Sequence, residues 1–336
     1  MPIRIPIRNR SQILAAADAY ADANNPRVER WLHNVWNAQS DSMRLEEIMS
    51  AMNSGDINTA WLERWRKEYF DFVNDKLGPQ WKDAISTNGE NTIAGLNKAM
   101  KLRQPLIWTD ETAAISKWID NSGAQFLTRS TLEQRQAIST LIHQFTVNQP
   151  MSAPELARVL RASVGLNGPQ AASVAKLRQT LLDEGLSPAV VKQKINEKIV
   201  IGIRDRATMI AQTEQSFAWH EGQDQAMRQA VEQGAFNEDQ FVVKVWLCNP
   251  GCCVFCQAVD GLKRPLDGTY ATDARTGREI KRPPYHPRCI CTQYHEIVTE
   301  EEYNAIMSKL SADGYISILA GHYEIKQFCT GNLQVI

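Results

Sequence analysis

Apolar residues recur every three or four positions through residues 1–150, which is the spacing of amphipathic helices. The segment "DINTAWLERWRKEYFDFVNDKLGPQW" places Trp61 and Trp65 at such a spacing, and its Gly-Pro pair at 78–79 should end the helix. The earlier stretch "NNPRVERWLHNVWNAQSDSMRLEEIMSAMNSGD" repeats the pattern and should end at its Asn-Ser-Gly. The tryptophans fit either a helix-bundle core or an aromatic surface that docks a partner.

Residues 151–235 predict shorter helices followed by one long helix, "RDRATMIAQTEQSFAWHEGQDQAMRQAVEQG". The long helix carries a stripe of alanine and other apolar residues near the helical period. Thr213 and Glu214 interrupt that stripe, and buried polar groups need partners. We expect these two residues to form a structural polar network with Arg204 or Arg206, or else to face a ligand.

The pattern changes after the long helix. "QFVVKVWLC" and "TQYHEIV" predict strands, "TEEEYNAIMSKL" predicts a helix with Thr299 and Glu302 as a capping box, and "GYISILAGHYEIKQF" predicts two short strands. The expected fold class is a mainly α N-terminal region with a C-terminal α+β module built on two cysteine knuckles. The expected segments are 1–150, 151–235, 236–298 and 299–336.

Composition and net charge limit the kinds of partner that the protein is expected to bind. Of the 336 residues 43% are hydrophobic and 22% charged, as in ordinary soluble proteins, and the net charge of -1 provides no global attraction to nucleic acid or anionic lipid. The stretch "MPIRIPIRNRSQ" lacks the apolar core of a secretory signal, and we see no run long enough to span a membrane. We therefore expect no membrane partner and a reducing compartment, where clustered thiols bind metal more often than they form disulfides.

Six of the seven cysteines fall in two short clusters, "LCNPGCCVFCQAVDG" and "PPYHPRCICTQY". Cys253 and Cys256 form a C-x2-C knuckle, and His286 and Cys289 form an H-x2-C knuckle. Cys291 is an alternative to His286, since residues two apart on a strand share a face. Two knuckles that each present two such ligands are typical of a tetrahedral zinc site. Reduced, metal-free thiols and disulfides are the competing interpretations.

The zinc is expected to be structural. A catalytic zinc usually keeps one coordination position open, whereas five candidate ligands can close this site. The nucleobase deaminase signature is not met, because no residue separates His220 from Glu221 and Pro250 is not next to the knuckle. We find no Walker loop, G-x-S-x-G or H-E-x-x-H motif, and we assign neither catalytic residues nor a small-molecule substrate.

The segment between the knuckles is rich in turns and in basic side chains. It is expected either to be a solvated loop or to contact DNA phosphate or an acidic partner surface. The candidate contact residues are Lys263, Arg264, Arg275, Arg278, Lys281 and Arg282.

An ordered set of short motifs resembles the phage Mu protein F-like minor head proteins, also called phage head morphogenesis proteins. The set consists of "RATMIAQTEQSFAWHEGQDQA", "KVWLC", "CVFCQAVDG" and "PPYHPRCICT", and it covers roughly residues 150–298. Two features depart from that family: Ile290 stands where an arginine is usual, and Cys248 and Cys252 are extra. The matching positions are Arg206, Ala207, Ile210, Ala211, Thr213, Glu214, Gly222, Lys244, Trp246, Cys253, Cys256, Asp260, Gly261, His286, Pro287, Cys289 and Cys291.

The resemblance implies a minor structural protein of a tailed-phage head, present in few copies at the portal vertex. It implies a role in head assembly, DNA packaging or DNA delivery, with the portal protein as partner and the major capsid protein and packaged DNA as further partners. The expected location is the virion head, after assembly in the host cytoplasm. Because some relatives are fused to toxin or ADP-ribosylating domains, the alternative is a zinc-dependent enzyme or toxin-like module acting on nucleic acid.

Overall fold

The computed structural model describes residues 3–5, 9–102, 104–273 and 277–312. Helices dominate the N-terminal part and antiparallel strands follow in the C-terminal part, which confirms the expected fold class. The elements are β1 (Ile3–Ile5), α1 (Arg10–Asp41), α2 (Leu45–Ser54), α3 (Thr59–Phe72), α4 (Gly78–Met100), α5 (Ala113–His143), α6 (Ala153–Ala162), α7 (Gly168–Asp183), α8 (Pro188–Glu232), β2 (Gln240–Leu247), α9 (Val254–Gln257), β3 (Lys263–Pro265), β4 (Ala271–Thr272), β5 (Glu279–Ile280), β6 (Thr292–Thr299) and α10 (Glu300–Ala312).

The chain forms two compact units that interleave in sequence. The second unit is made of residues 25–80 and 116–211, and the first unit takes the described residues before, between and after them. Each unit therefore joins segments that are distant in sequence, and neither coincides with one of the four consecutive segments expected from the sequence pattern.

The second unit is built around buried aromatic side chains. Trp61 and Trp65 are fully buried with their rings 5.3 Å apart, so these two belong to a helical core. Trp36 donates a hydrogen bond to the Tyr69 hydroxyl (2.8 Å), which in turn donates to Gln134 (2.5 Å). Burial raises the pKa of Tyr69 to about 12, so the phenol stays protonated and able to donate.

Two expected helix boundaries are wrong. Gly78 and Pro79 do not end a helix, because a π-helical turn at Val73–Leu77 continues α3 directly into α4. In that turn the Gly78 N–H donates to the Val73 carbonyl, five residues earlier, so the helix is wider there than an α-helix. The next residue is Pro79, which has no N–H to donate, and the wider turn accommodates it. The expected long helix does not begin at Arg204 either, because no break separates it from the preceding segment "SPAVVKQKINEKIV". That segment is the start of α8, which runs on unbroken for 45 residues.

Other predicted boundaries are confirmed. Gly55 ends α2 in the left-handed conformation (φ 80°), which glycine adopts without strain. The Thr299 hydroxyl accepts a hydrogen bond from the Glu302 N–H (3.3 Å) and the Glu302 carboxylate accepts one from the Thr299 N–H (3.1 Å), which is the expected capping box of α10. The two short strands expected in "GYISILAGHYEIKQF" and the lone Cys329 lie outside the described residues.

The first unit contains an antiparallel sheet in the order β1-β6-β2-β3 and a separate pair, β4-β5. The expected strands β2 and β6 pair along their full length, from Gln240 opposite Thr299 to Leu247 opposite Thr292. Gly222 lets α8 approach α4 closely, since a Cβ at that position would overlap the Ile85 carbonyl. Within the described part of the chain, no helix has both the length and the apolar character needed to cross a membrane.

Candidate metal centre

The first knuckle lies where β2 ends. The chain turns through Gly251 (φ 83°) and enters the short helix α9, whose N-cap residue is Cys253. The Gln257 N–H bonds the Cys253 carbonyl (2.9 Å), so Cys253 and Cys256 are separated by one helical turn. Residues three apart in a helix share a face, so the two sulfur atoms face the same centre.

The second knuckle lies just before β6. The Cys289 N–H bonds the His286 carbonyl (3.1 Å), which closes a tight turn, and Arg288 takes a positive φ of 63° within it. The His286 Nδ1 donates a hydrogen bond to the Pro287 carbonyl (2.7 Å). This bond fixes the tautomer, so that Nε2 is the nitrogen available to a metal ion.

The two knuckles meet. The His286 Nε2 lies 3.0 Å from the Cys253 sulfur and 3.5 Å from the Cys256 sulfur, and the Cys256 and Cys289 sulfurs are 3.6 Å apart. A tetrahedral ion with sulfur bonds of about 2.3 Å needs two sulfur ligands about 3.8 Å apart, or a sulfur and a nitrogen about 3.5 Å apart. The two distances from Cys256 fit, whereas Cys253 and His286 lie about 0.5 Å closer together than this geometry requires. With a small separation of those two side chains, the cluster can hold a metal ion.

All five predicted ligands lie in this cluster, in two overlapping groups. Cys253, Cys256 and His286 form one group, and Cys256 joins Cys289 and Cys291 in the other, with the ligand atoms of each group within 4.8 Å of one another. Cys256 belongs to both groups and is 1% exposed. His286 and Cys291 both stay candidates for the fourth ligand.

Mutual hydrogen bonds perturb the thiols. The hydrogen bond from the Cys256 thiol, followed by that from His286, lowers the pKa of Cys253 to about 4, whereas burial opposes this shift. Burial acts against the charged form of His286, yet its contacts with the Cys253 and Cys289 sulfurs raise the pKa of His286 to about 9. Hydrogen bonds from the Cys256 and Cys291 thiols lower the pKa of Cys289, while the pKa of Cys256 rises because it is the donor. Thiolate is the ligand form of cysteine, so the lowered pKa values of Cys253 and Cys289 favour metal binding at these two residues.

Cys248 and Cys252 form a disulfide, which is one of the competing interpretations of the clusters, although a reducing compartment was expected. The two residues stand at the ends of the turn that follows β2, with Cα atoms 6.0 Å apart. That separation falls in the ordinary range for cystine, so the turn itself brings the pair together.

The three residues of the expected polar network belong to different compact units. Arg206, in the second unit, donates hydrogen bonds to the Gly165 carbonyl (2.8 Å) and pairs with Glu133 (2.9 Å). Thr213 and Glu214 are buried in the first unit, where the Thr213 hydroxyl accepts a bond from the Arg288 N–H (3.4 Å). A network among these three residues stays a prediction.

A cluster of buried charges in the first unit was missed by the sequence analysis. Asp224, on α8, is fully buried and accepts hydrogen bonds from Gln293 (2.6 Å) and from Arg282 (2.9 Å), and His295 lies 3.2 Å away. Arg282 also pairs with Glu221. We call these residues, with Lys244, the buried ionic cluster. The available signal was the polar residues at alternate positions of "TQYHEIV", on a strand that is buried on both faces.

The charges within the buried ionic cluster are held by one another. Burial acts against ionisation of Asp224, but the bond from His295 and the charge of Lys244 lower its pKa. Burial lowers the pKa of Lys244, whose ammonium donates to the Lys281 carbonyl (2.5 Å), and it lowers the pKa of Arg282 to about 10. Because each buried charge needs its counterpart, the cluster is structurally sensitive.

The basic residues between the knuckles are not equally available to a partner. Arg264 and Arg282 are engaged internally, the former by bonds to the Thr269 and Lys263 carbonyls. Arg278 donates to the Tyr285 carbonyl, Lys263 pairs with Glu296 (2.6 Å), and the half-exposed Lys281 pairs with Glu279 (3.1 Å). Arg275 lies outside the described residues. Contact with DNA or an acidic partner stays a prediction.

We compared the chain with protein-family models, with curated proteins and with solved structures, and none of the three comparisons gave a match.

Proposed function

We propose that the cluster holds one structural zinc ion. The donors are thiolates and one imidazole, which is the set that zinc takes in structural sites. Cys253, Cys256, Cys289 and either His286 or Cys291 would be its ligands. When bound, the ion supplies a cross-link between the C-x2-C and H-x2-C knuckles.

The surroundings of the knuckles support a structural role. The apolar core there is small: Trp246, Tyr270 and Tyr285 pack around the buried cysteines, with rings of Trp246 and Tyr270 5.1 Å apart. The strands between the knuckles, β3 to β5, are only two or three residues long. Such a segment gains little from apolar burial, so a cross-link at its base would contribute a large share of its stability. Five donors in two overlapping groups that share Cys256 also favour a closed coordination shell over an open catalytic one.

We further propose that the protein is a minor structural protein of a tailed-bacteriophage head. The observation that carries this proposal is the ordered set of residues from Arg206 to Cys291 that resembles the Mu protein F-like family. The structure brings these motifs together in space. Strand β2, which carries Lys244 and Trp246, and both knuckles contribute to one small core. Ile290, in place of the usual arginine, is 47% exposed and leaves the cluster intact.

In this role the protein would be associated with the portal vertex, in few copies, and would support head assembly, DNA packaging or DNA delivery. Its partners would be the portal protein, the major capsid protein and packaged DNA. The exposed basic side chains between the knuckles, Lys281 foremost, are the groups available to phosphate or to an acidic partner surface.

The proposal is tested with particles of the phage that encodes the chain. Mass spectrometry of purified heads should detect the protein, and the tagged chain should co-purify with the portal protein when the two are co-expressed. Cys253→Ser should abolish incorporation if the zinc-bound module is needed, and Cys329→Ser, which removes a cysteine outside the described residues, is the matched control. A protein missing from heads and unable to bind portal would refute the assignment.

A further inference from the structure

The metal cluster has more sulfur than one ion needs. If the two knuckles supply Cys253, Cys256, His286 and Cys289 to the first ion, Cys291 is left over. The remaining neighbours of Cys291 are Cys248 and Cys252, and the three sulfur atoms lie within 4.8 Å of one another. The surplus thiols are therefore grouped, side by side with the first site.

The strand register explains why the group forms. Leu247 pairs with Thr292, so the next positions, Cys248 and Cys291, stand opposite each other at the open end of the β2–β6 ladder. Their sulfurs are 3.7 Å apart, which is the separation of two ligands of one tetrahedral ion (about 3.8 Å). Cys252 reaches the same place because the turn after β2 folds back toward Cys248.

The surroundings leave the group of three cysteines accessible and hold Cys248 in position. Cys248 and Cys291 are buried, whereas Cys252 is partly exposed and so gives access from solvent. The Cys248 N–H donates to the Asp260 carboxylate (2.7 Å), and the Arg10 guanidinium bonds the Cys248 carbonyl (2.6 Å) and Asp260 (3.2 Å). These bonds fix the backbone of Cys248 and so hold its side chain in place opposite Cys291.

We propose that Cys248, Cys252 and Cys291 form a second metal position that takes a soft, thiolate-binding divalent ion, and that the Cys248–Cys252 disulfide closes it. The second position rests on the proposed first site, with His286 and not Cys291 as the fourth ligand of the first ion. Reduction by a phosphine and one water molecule breaks the sulfur–sulfur bond, converts both sulfurs to thiols and converts the phosphine to its oxide. Binding of the divalent ion then displaces three protons from the three thiols.

The test counts cadmium ions bound to the full chain in its two redox states. Cadmium binds thiolates strongly, and elemental analysis after gel filtration gives ions per chain. The oxidised sample is checked for the Cys248–Cys252 bond by peptide mapping, and the reduced sample is prepared with a phosphine and handled without oxygen. We expect one ion per oxidised chain and two per reduced chain. One ion in both states would overturn the second position.

Two variants sharpen the result. Cys252→Ser removes a ligand and the disulfide together, so it should bind one ion in either state, whereas Cys329→Ser should keep the change from one to two. A second ion retained by Cys252→Ser, or lost from Cys329→Ser, overturns the proposal, provided circular dichroism shows both variants folded. An oxidised wild-type chain that binds no cadmium would instead contradict the first site.

Discussion

The core of the second unit and the core around the knuckles are built on different physical principles. In the second unit, helices bury whole tryptophan side chains, including Trp61 and Trp65. Around the knuckles, short strands and turns enclose cysteines, and the nearby buried ionic cluster balances Asp224 and Glu221 against Arg282.

The difference shows how little regular structure a folded segment needs when specific bonds replace apolar area. A buried tryptophan contributes by the surface that it removes from water, and this contribution is tolerant of small shifts. A metal ligand or a buried ion pair contributes only when its counterpart is in place. The two regions should therefore fail in different ways.

The largest expected effect follows removal of the proposed zinc ion. Chelation should destabilise the segment of residues 248–291 by on the order of 10 kcal/mol, because the ion's binding free energy is folding free energy. Limited proteolysis with mass spectrometry should show new cleavage in that segment, while peptides of residues 116–211 stay protected. Equal loss of protection in both regions would contradict the claim that the two cores are stabilised in different ways.

Loss of one aromatic ring should affect the other core. Trp65→Ala should cost about 3–5 kcal/mol, since it leaves a cavity where a fully buried ring had been. Urea unfolding measures the loss, and the metal content should be unchanged. Phe70→Ala is the matched control: Phe70 is 53% exposed, so its removal should change stability by less than about 0.5 kcal/mol.

Breaking the buried ionic cluster should have an effect of similar size. Asp224→Ala removes the carboxylate that accepts bonds from Arg282 and Gln293, and leaving a buried charge unpaired costs about 3–5 kcal/mol. Asp267→Ala removes a carboxylate that pairs with Arg228 at the surface and should cost at most about 1 kcal/mol. Comparable losses in the two variants would argue against a special role for burial.

The smallest effect concerns acid. Burial lowers the pKa of His220 to about 4, so the folded protein keeps this imidazole neutral while the unfolded chain, with an ordinary pKa near 6.5, takes up a proton. Stability should therefore fall as the pH drops from about 6.5 to 4, by at most about 1.4 kcal/mol per pH unit from this residue. Thermal unfolding across this range checks the slope. His220→Gln should reduce it, and an unchanged slope would assign the acid sensitivity to the metal ligands instead.

The sequence predicts the parts that depend on local pattern. Periodicity identifies the helical region, alternation identifies β2 and β6, and ligand spacing identifies the five residues of the metal cluster. The sequence pattern fails where contacts between distant segments determine the structure. Pro79 normally ends a helix, but the π-helical turn before it accommodates the proline. Asp224 and His295 are far apart in the sequence. They become partners because α8 packs on β6.

The pairing of β1 with β6 has a consequence for the order in which the protein folds during synthesis. Residues 25–80 and 116–211 complete the second unit before residue 212 is made, so that unit can fold while the ribosome is still at work. Ile3, in contrast, pairs with Ile297, and the strand it belongs to must wait for nearly the whole sequence to be translated. Contacts so distant along the chain form slowly, so the first unit should fold after the second unit and should limit the rate at which the whole chain folds.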